Sequence, residues 1–391
     1  MSSKPYLLLI LFVALIWSCK KPYNPPAINA PNSYLVVEGV INTGTDSTVI
    51  TLSRTVKLDS NTTLKPELHA QISVQSDNNV SYPLTEIGSG KYASSLNLDR
   101  TKKYRLHIVT TDGTEYASDY AASVNTPDID SIPYKVTSTG IQFYVNTHDP
   151  TNNTRYYRWS FDETWSYVSY YYSVYEIMNG KITYRPVSDL INTCYKTKPS
   201  QQVLIGSSAK LAQDVIAMQP VNFVLANSGK ISFGYSFLLK QYGLTKEAYQ
   251  YWDNLKKNTE SLGSIFDAQP STITGNIHCV THPETLVLGY ISVSLIRSHR
   301  IFIDHNNIAL YTPNYIPPPD SSACKSKGIL FAPLNSYDQR FNNVFANGDF
   351  IPVTDLGLNG VLLGYVYAPK ECVDCRLKSP FGTTAKPLFW K

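Results

Sequence analysis

Six cysteines, Cys19, Cys194, Cys279, Cys324, Cys372 and Cys375, are the residues whose type and spacing offer chemistry most directly. Cys19 stands apart. It follows Lys4 and the apolar run Leu7–Trp17, with the small residue Ser18 directly before it. That arrangement matches a secretory signal ending at a bacterial lipobox, where the leader is removed and the cysteine is acylated. A run of ~11 residues makes roughly 16 Å of helix against a hydrocarbon core of about 30 Å, too short to span. Cys19 is therefore the expected lipidation site, with fatty acyl chains such as palmitate holding the chain to a membrane.

An exported chain meets oxidising conditions, so Cys194, Cys324, Cys372 and Cys375 are disulfide candidates. Their pairing stays open, because spacing alone does not fix connectivity. Cys279, in the strand-like Asn276-Ile-His-Cys-Val280, is taken as the free thiol, a small buried hydrophobe. Cys372-x-x-Cys375 has zinc spacing but no second CxxC, and His278 and His282 beside Cys279 run into a turn at Pro283. A thioredoxin-type role needs the CxxC at a helix start after a βαβ strand, whereas this one lies near the chain end. No metal and no cofactor are expected.

Ser207-Ser-Ala-Lys210 fits the S-x-x-K pattern of penicillin-recognising serine enzymes, but no Ser-Asp-Asn or Lys-Thr-Gly follows. A helix starting at Ser207 or Ser208 and running to Ala217 explains the same residues. The nucleophile-elbow, zincin, phosphate-loop and dinucleotide motifs are missing from the sequence. Asp162 and Glu163 adjoin, and on a strand they point to opposite faces rather than acting together. No catalytic residue is expected. The strongest binding signal is aromatic: Tyr156–Tyr175 is crowded with rings. Tyr157, Trp159 and Phe161 share one face and belong to a core. Trp165, Tyr167, Tyr170 and Tyr172 are placed beyond the strand's end as candidate ligand or partner contacts. A cross-strand aromatic ladder is the competing reading.

The elements that must position these residues are mostly strands. Residues 1–18 read as leader and 19–32 as a Pro-rich tether. Short β-branched segments between 33 and 125, with a hairpin signal at Asp112-Gly113, predict an Ig- or transthyretin-like sandwich. Tyr104, Leu106 and Ile108 share its inner face. Residues 126–391 predict a larger β-rich domain. Ile231, Phe233, Tyr235, Phe237 and Leu239 alternate as one buried face, and segments from Gly289 and Arg300 supply partner strands. One helix is marked, about 246–260, with Thr245 as N-cap and Gly263 beyond its end. Ala248, Trp252, Leu255 and Leu262 form its packing stripe. The net charge of +4 is scattered, so nothing points to nucleic acid.

The motif Gln241–Glu260, then Gly263–Pro270 and Gly275-Asn-Ile, together with Glu371–Cys375 and Pro387–Trp390, resembles domain-of-unknown-function family 4249. The resemblance implies a lipoprotein of the Bacteroidota outer membrane whose partner is a TonB-dependent transporter. It supplies no catalytic residues. Lys20-Lys21 replaces the acidic residues that often follow the acylated cysteine in surface-exported members, leaving the cell surface and the periplasmic face both open. The expected role is a non-enzymatic ligand-binding or accessory protein. The alternatives are a structural or adhesive surface lipoprotein and an envelope glycan hydrolase, which needs two carboxylates about 5–9.5 Å apart in a cleft.

Overall fold

The computed structural model describes residues 33–56, 65–260, 273–304, 308, 324–331, 337, 339–379 and 382–390. The leader, the tether with Cys19, and Leu262 and Gly263 lie outside them. The fold is mostly β: an N-terminal sandwich followed by a larger β-rich region with one long helix.

The first sandwich forms because its strands alternate. Tyr104, Leu106 and Ile108 in the strand Lys103–Val109 are buried, while Arg105 and His107 between them are half-buried on the other face. The Asp112-Gly113 turn folds that strand back onto Glu115–Ser118, with Gly113 at φ 81°, a conformation glycine adopts without strain. The strand Ser81–Gly88 joins the two halves of the sheet. Leu84 pairs with Ile72 of Gln71–Ser76, and Glu86 pairs with Tyr92 of Lys91–Ser94. Leu35, Ile41, Ile50, Leu52, Val74 and Leu106 fill the core.

This unit is not contiguous in sequence. Ile277–Cys279 pairs antiparallel with Glu115–Ser118, and Val287–Gly289 and Ser292–Ser294 run parallel to Leu35–Asn42. Ile277, Cys279, Val287, Ile291 and Val293 all enter the first core. The segment from Gly289 thus serves the first sandwich, whereas the strand Arg297–Ile303 pairs with Gly234–Leu244 in the second. A boundary drawn near 125 separates the start of the second core, but not all of the first.

In the second sandwich, Gly140–Asp149 pairs with Asp214–Leu225, and the facing sheet centres on Tyr156–Val168 and Gly234–Leu244. Phe143 stacks on Phe237 at 4.8 Å and on Tyr235 at 5.7 Å across the interface between the sheets. Ile231, Tyr235, Phe237 and Leu239 are buried, but Phe233 is exposed because the strand starts only at Gly234. The helix expected over Ser208–Ala217 is replaced by a turn and a strand. Ser208 Oγ donates to Asp214 Oδ1, and Asp214 N–H donates to Asn152 Oδ1 at 2.6 Å. Pairing of Asp214 with Asp149 then draws the segment into the sheet. Long-range pairing overrides the local helix signal there.

The helix Lys246–Glu260 opens where the sequence places it, with Ala248 N–H donating to Thr245 Oγ1 at 3.2 Å. Ala248, Tyr249 and Trp252 pack with Val40 of the first sandwich and Tyr242 and Leu244 of the second. A C-terminal lobe completes the molecule. The hairpin Tyr175–Met178/Lys181–Tyr184, the three-stranded sheet of Lys327–Leu330, Phe350–Leu358 and Val361–Pro369, and the helix Gln339–Phe345 share a core of Tyr175, Phe331, Phe341 and Tyr365. Cys194 bonds Cys375 and Cys324 bonds Cys372, each pair with Cα atoms 5.7 Å apart.

Candidate functional site

The cysteine pair of the CxxC motif is spent on structure. Cys372 and Cys375 sit in successive short helical turns separated by Asp374, whose Oδ1 accepts from Arg376 N–H at 3.0 Å. Each reaches a different partner: Cys375 fastens the C-terminal lobe to Cys194 of the second sandwich, and Cys372 closes the lobe on itself through Cys324. Cys279 is free and buried. The neighbouring His278 projects the opposite way, 3.2 Å from Asp119, and His282 lies 4.0 Å from Glu284. Among the described residues no cluster of His, Cys, Asp and Glu is arranged to hold a metal.

The aromatic stretch divides. The strand that begins at Tyr156 runs on to Val168, so Trp165 and Tyr167 continue the inward face of Tyr157, Trp159 and Phe161. Tyr167 packs against the Cys194–Cys375 bridge, and Trp165 lies between that cluster and the second core, with Lys230 Nζ 5.1 Å from its ring centre. Neither forms an exposed contact surface, which corrects the expectation drawn from an earlier strand end. Tyr170 and Tyr172 do lie past the strand and are exposed, at 38% and 55%.

Asp162 and Glu163 take opposite faces. Asp162 pairs outward with Lys240 at 2.7 Å. Glu163 is buried, accepting from Lys230 at 2.6 Å and Tyr235 Oη at 2.7 Å. Burial, with the Glu163 charge beside it, pushes the Tyr235 phenol well above its ordinary range. That hydroxyl stays protonated and donates.

The outward face of the same strand builds a site that no motif announced. Arg158 lies directly across the ladder from Tyr242. Its guanidinium carbon is 4.3 Å from the Tyr242 ring centre and 4.4 Å from that of Trp252, so the long helix and the sheet both lay rings against it. It opens into a cleft of about 360 Å³ between the sandwiches, lined by Gly39, Val40 and Val49 from the first and by Leu238, Lys240 and Ile296 from the second. Asp46 and Ser47, both exposed, form its rim. Arg158 Nε is fully enclosed and has no hydrogen-bond partner. Burial lowers the guanidinium's pKa from its usual value, opposed by Tyr242 and by the Glu38 carboxylate. An arginine so placed still carries its charge. Lys240 is already paired with Asp162, which leaves Arg158 as the cation of the cleft without an ion-pair partner among the described residues, Glu38 acting on it only through space. A lone arginine between core residues Tyr157 and Trp159 was the one available sequence signal; Tyr242 and Trp252, which give it meaning, are remote in the chain.

No curated protein matches this chain. Among solved structures it is similar to a two-domain fibronectin type-III segment of chicken tenascin, at 10% identity and a TM-score of 0.16, covering 55% of this chain and 92% of that one. It is also similar to a putative membrane-anchored protein of Corynebacterium diphtheriae, at 12% identity and a TM-score of 0.17, covering 54% and 55%. At such scores neither bears on fold or function. The family model described as "Domain of unknown function (DUF4249)" matches residues 20–300 and stops short of the Cys372–Cys375 and Pro387–Trp390 ends. Most of the sequence, including the first sandwich, all but the end of the second and the helix that clamps Arg158, falls within that match, and the chain belongs to this family.

Proposed function

We propose that this protein is a lipid-anchored, non-enzymatic binding protein of the outer membrane that works beside a TonB-dependent transporter. The observation that carries the reading is the cleft between the sandwiches. It is a concave space of ligand size with an apolar side and one arginine that has no ion-pair partner among the described residues, the make-up of a small-molecule binding site. Two disulfides of long sequence separation suit an oxidising compartment. The leader and Cys19 supply the anchor in this reading. No described helix is long and apolar enough to cross a membrane. The protein captures a ligand in the cleft and presents it at the transporter's mouth, with the exposed Tyr170 and Tyr172 as partner contacts.

Isolation of the native protein from its own membranes in mild detergent, with mild cross-linking and mass spectrometry, tests the partnership. A TonB-dependent transporter is expected in stoichiometric amount. Recovery of the chain alone at native abundance would count against the reading, and loss of the transporter in Tyr170→Ser/Tyr172→Ser would place the contact.

A further inference from the structure

We infer that the cleft between the sandwiches binds a small carboxylate with an apolar body, anchored by the guanidinium of Arg158. The inference rests on the binding role proposed above and adds the chemistry of the ligand.

Three features of the site converge on that chemistry. First, the rings of Tyr242 and Trp252 satisfy the guanidinium only through their π faces. They offer no acceptor, and no described carboxylate lies within ion-pair distance of Arg158. With Nε enclosed, the terminal N–H groups are left for the paired, in-plane hydrogen bonds that a carboxylate accepts. Second, no described carboxylate is ion-paired with the charge, and Glu38 acts on it only through space. Asp162 is committed to Lys240, and Asp46 stands out at the rim. An incoming anion meets Arg158 from the cleft that it lines, beside an Nε that protein encloses. Third, Val40, Val49, Leu238 and Ile296 make an apolar side to the wall that rewards an apolar body, while Ser47 and Ser298 supply its hydroxyls. At roughly 30 Å³ per water-sized volume, a cleft of about 360 Å³ takes about a dozen non-hydrogen atoms. That fits an arylalkanoate or a short acyl acid and is too small for a polysaccharide segment.

The test is calorimetric titration of the full chain in mild detergent with 3-phenylpropionate, 3-phenylpropionamide and 2-phenylethylphosphonate. One-to-one binding of the carboxylate is expected, with the uncharged amide at least about tenfold weaker. Arg158→Met keeps an unbranched apolar stem between the two rings and should remove that tenfold preference for the acid over the amide. Val49→Trp fills the cleft from an exposed strand position and should abolish binding of all three probes, which decides the matter if Arg158→Met fails to fold. Equal binding of acid and amide would overturn the inference, as would binding that survives Val49→Trp or no heat from the carboxylate. A phosphonate preferred about tenfold would overturn the carboxylate assignment. Failure here with a transporter still co-isolated refutes the ligand class and leaves the partnership standing.

Discussion

Gln241→Leu tests how the second sandwich is held together. Gln241 is fully buried and sits across the ladder from Trp159. Its Oε1 accepts from Trp159 Nε1 at 2.8 Å, and its Nε2 donates at 2.9 Å both to the Pro127 carbonyl and to Thr147 Oγ1. One side chain thus ties two facing sheets to the segment that enters from the first sandwich. Leucine fits the volume but satisfies none of the three. Thr147 keeps a partner, since its hydroxyl also donates to the Asp128 carbonyl at 2.8 Å. The Trp159 N–H and the Pro127 carbonyl are left without one. At about 1–3 kcal/mol for each orphaned buried group, less the gain from an added apolar side chain, the net cost comes to about 3 kcal/mol. Urea unfolding followed by far-ultraviolet circular dichroism should show a midpoint lowered by roughly 1–2 M. Adding Trp159→Phe removes the orphaned donor, so the double variant should be about 1 kcal/mol more stable than the sum of the single effects implies. A cost below about 0.5 kcal/mol for Gln241→Leu, or strict additivity, would refute the reasoning.

Three other outcomes follow from the same structure. Replacing Cys194 and Cys375 by serine reopens a loop spanning 181 residues, and replacing Cys324 and Cys372 reopens one spanning 48. The chain-entropy model gives ~5 and ~4 kcal/mol, so both pairs should lower the melting temperature and the first should loosen the C-terminal lobe more by hydrogen exchange. Lys230→Met strips Glu163 of its cation while leaving the carboxylate buried beside Tyr235, and should cost about 3 kcal/mol in thermal unfolding; Glu163→Gln in that background should restore part of it. Asp112 accepts from the Thr110 hydroxyl at 2.6 Å and from Thr114 N–H at 3.0 Å, which lowers its pKa from 3.8 to about 2. A carboxyl depressed on folding adds stability that is complete above about pH 4 and lost as pH falls through 2, so the advantage over Asp112→Asn should shrink across that window in acid unfolding.

Local signals were legible in the sequence where a few neighbouring residues decide the structure. The Asp112-Gly113 turn, the alternation of Tyr104, Leu106 and Ile108, and the Thr245 cap each act within one hairpin or one helical turn. The rest depends on partners far along the chain. Parallel pairing of Val287–Gly289 and Ser292–Ser294 with Leu35–Asn42 carries no local mark, so the return of that segment to the first core could not be read. Ser208–Ala217 has the residues of a helix start, yet Asp214 is claimed by Asp149 and Asn152. Trp165 and Tyr167 were displaced outward by a strand end set too early, and alternation carried through to Val168 puts them inside. Arg158 attracts no notice among aromatic neighbours. Its role emerges only when Tyr242 and Trp252 close over it and the two sandwiches leave a cleft at its edge.

The proposed role at the outer membrane requires export and anchoring, and the intact mass of the native chain tests them most directly. The predicted result is a polypeptide that begins at Cys19 and carries diacylglycerol and acyl adducts on that residue, with two disulfides intact. A chain that retains Met1 and bears no lipid would contradict the account.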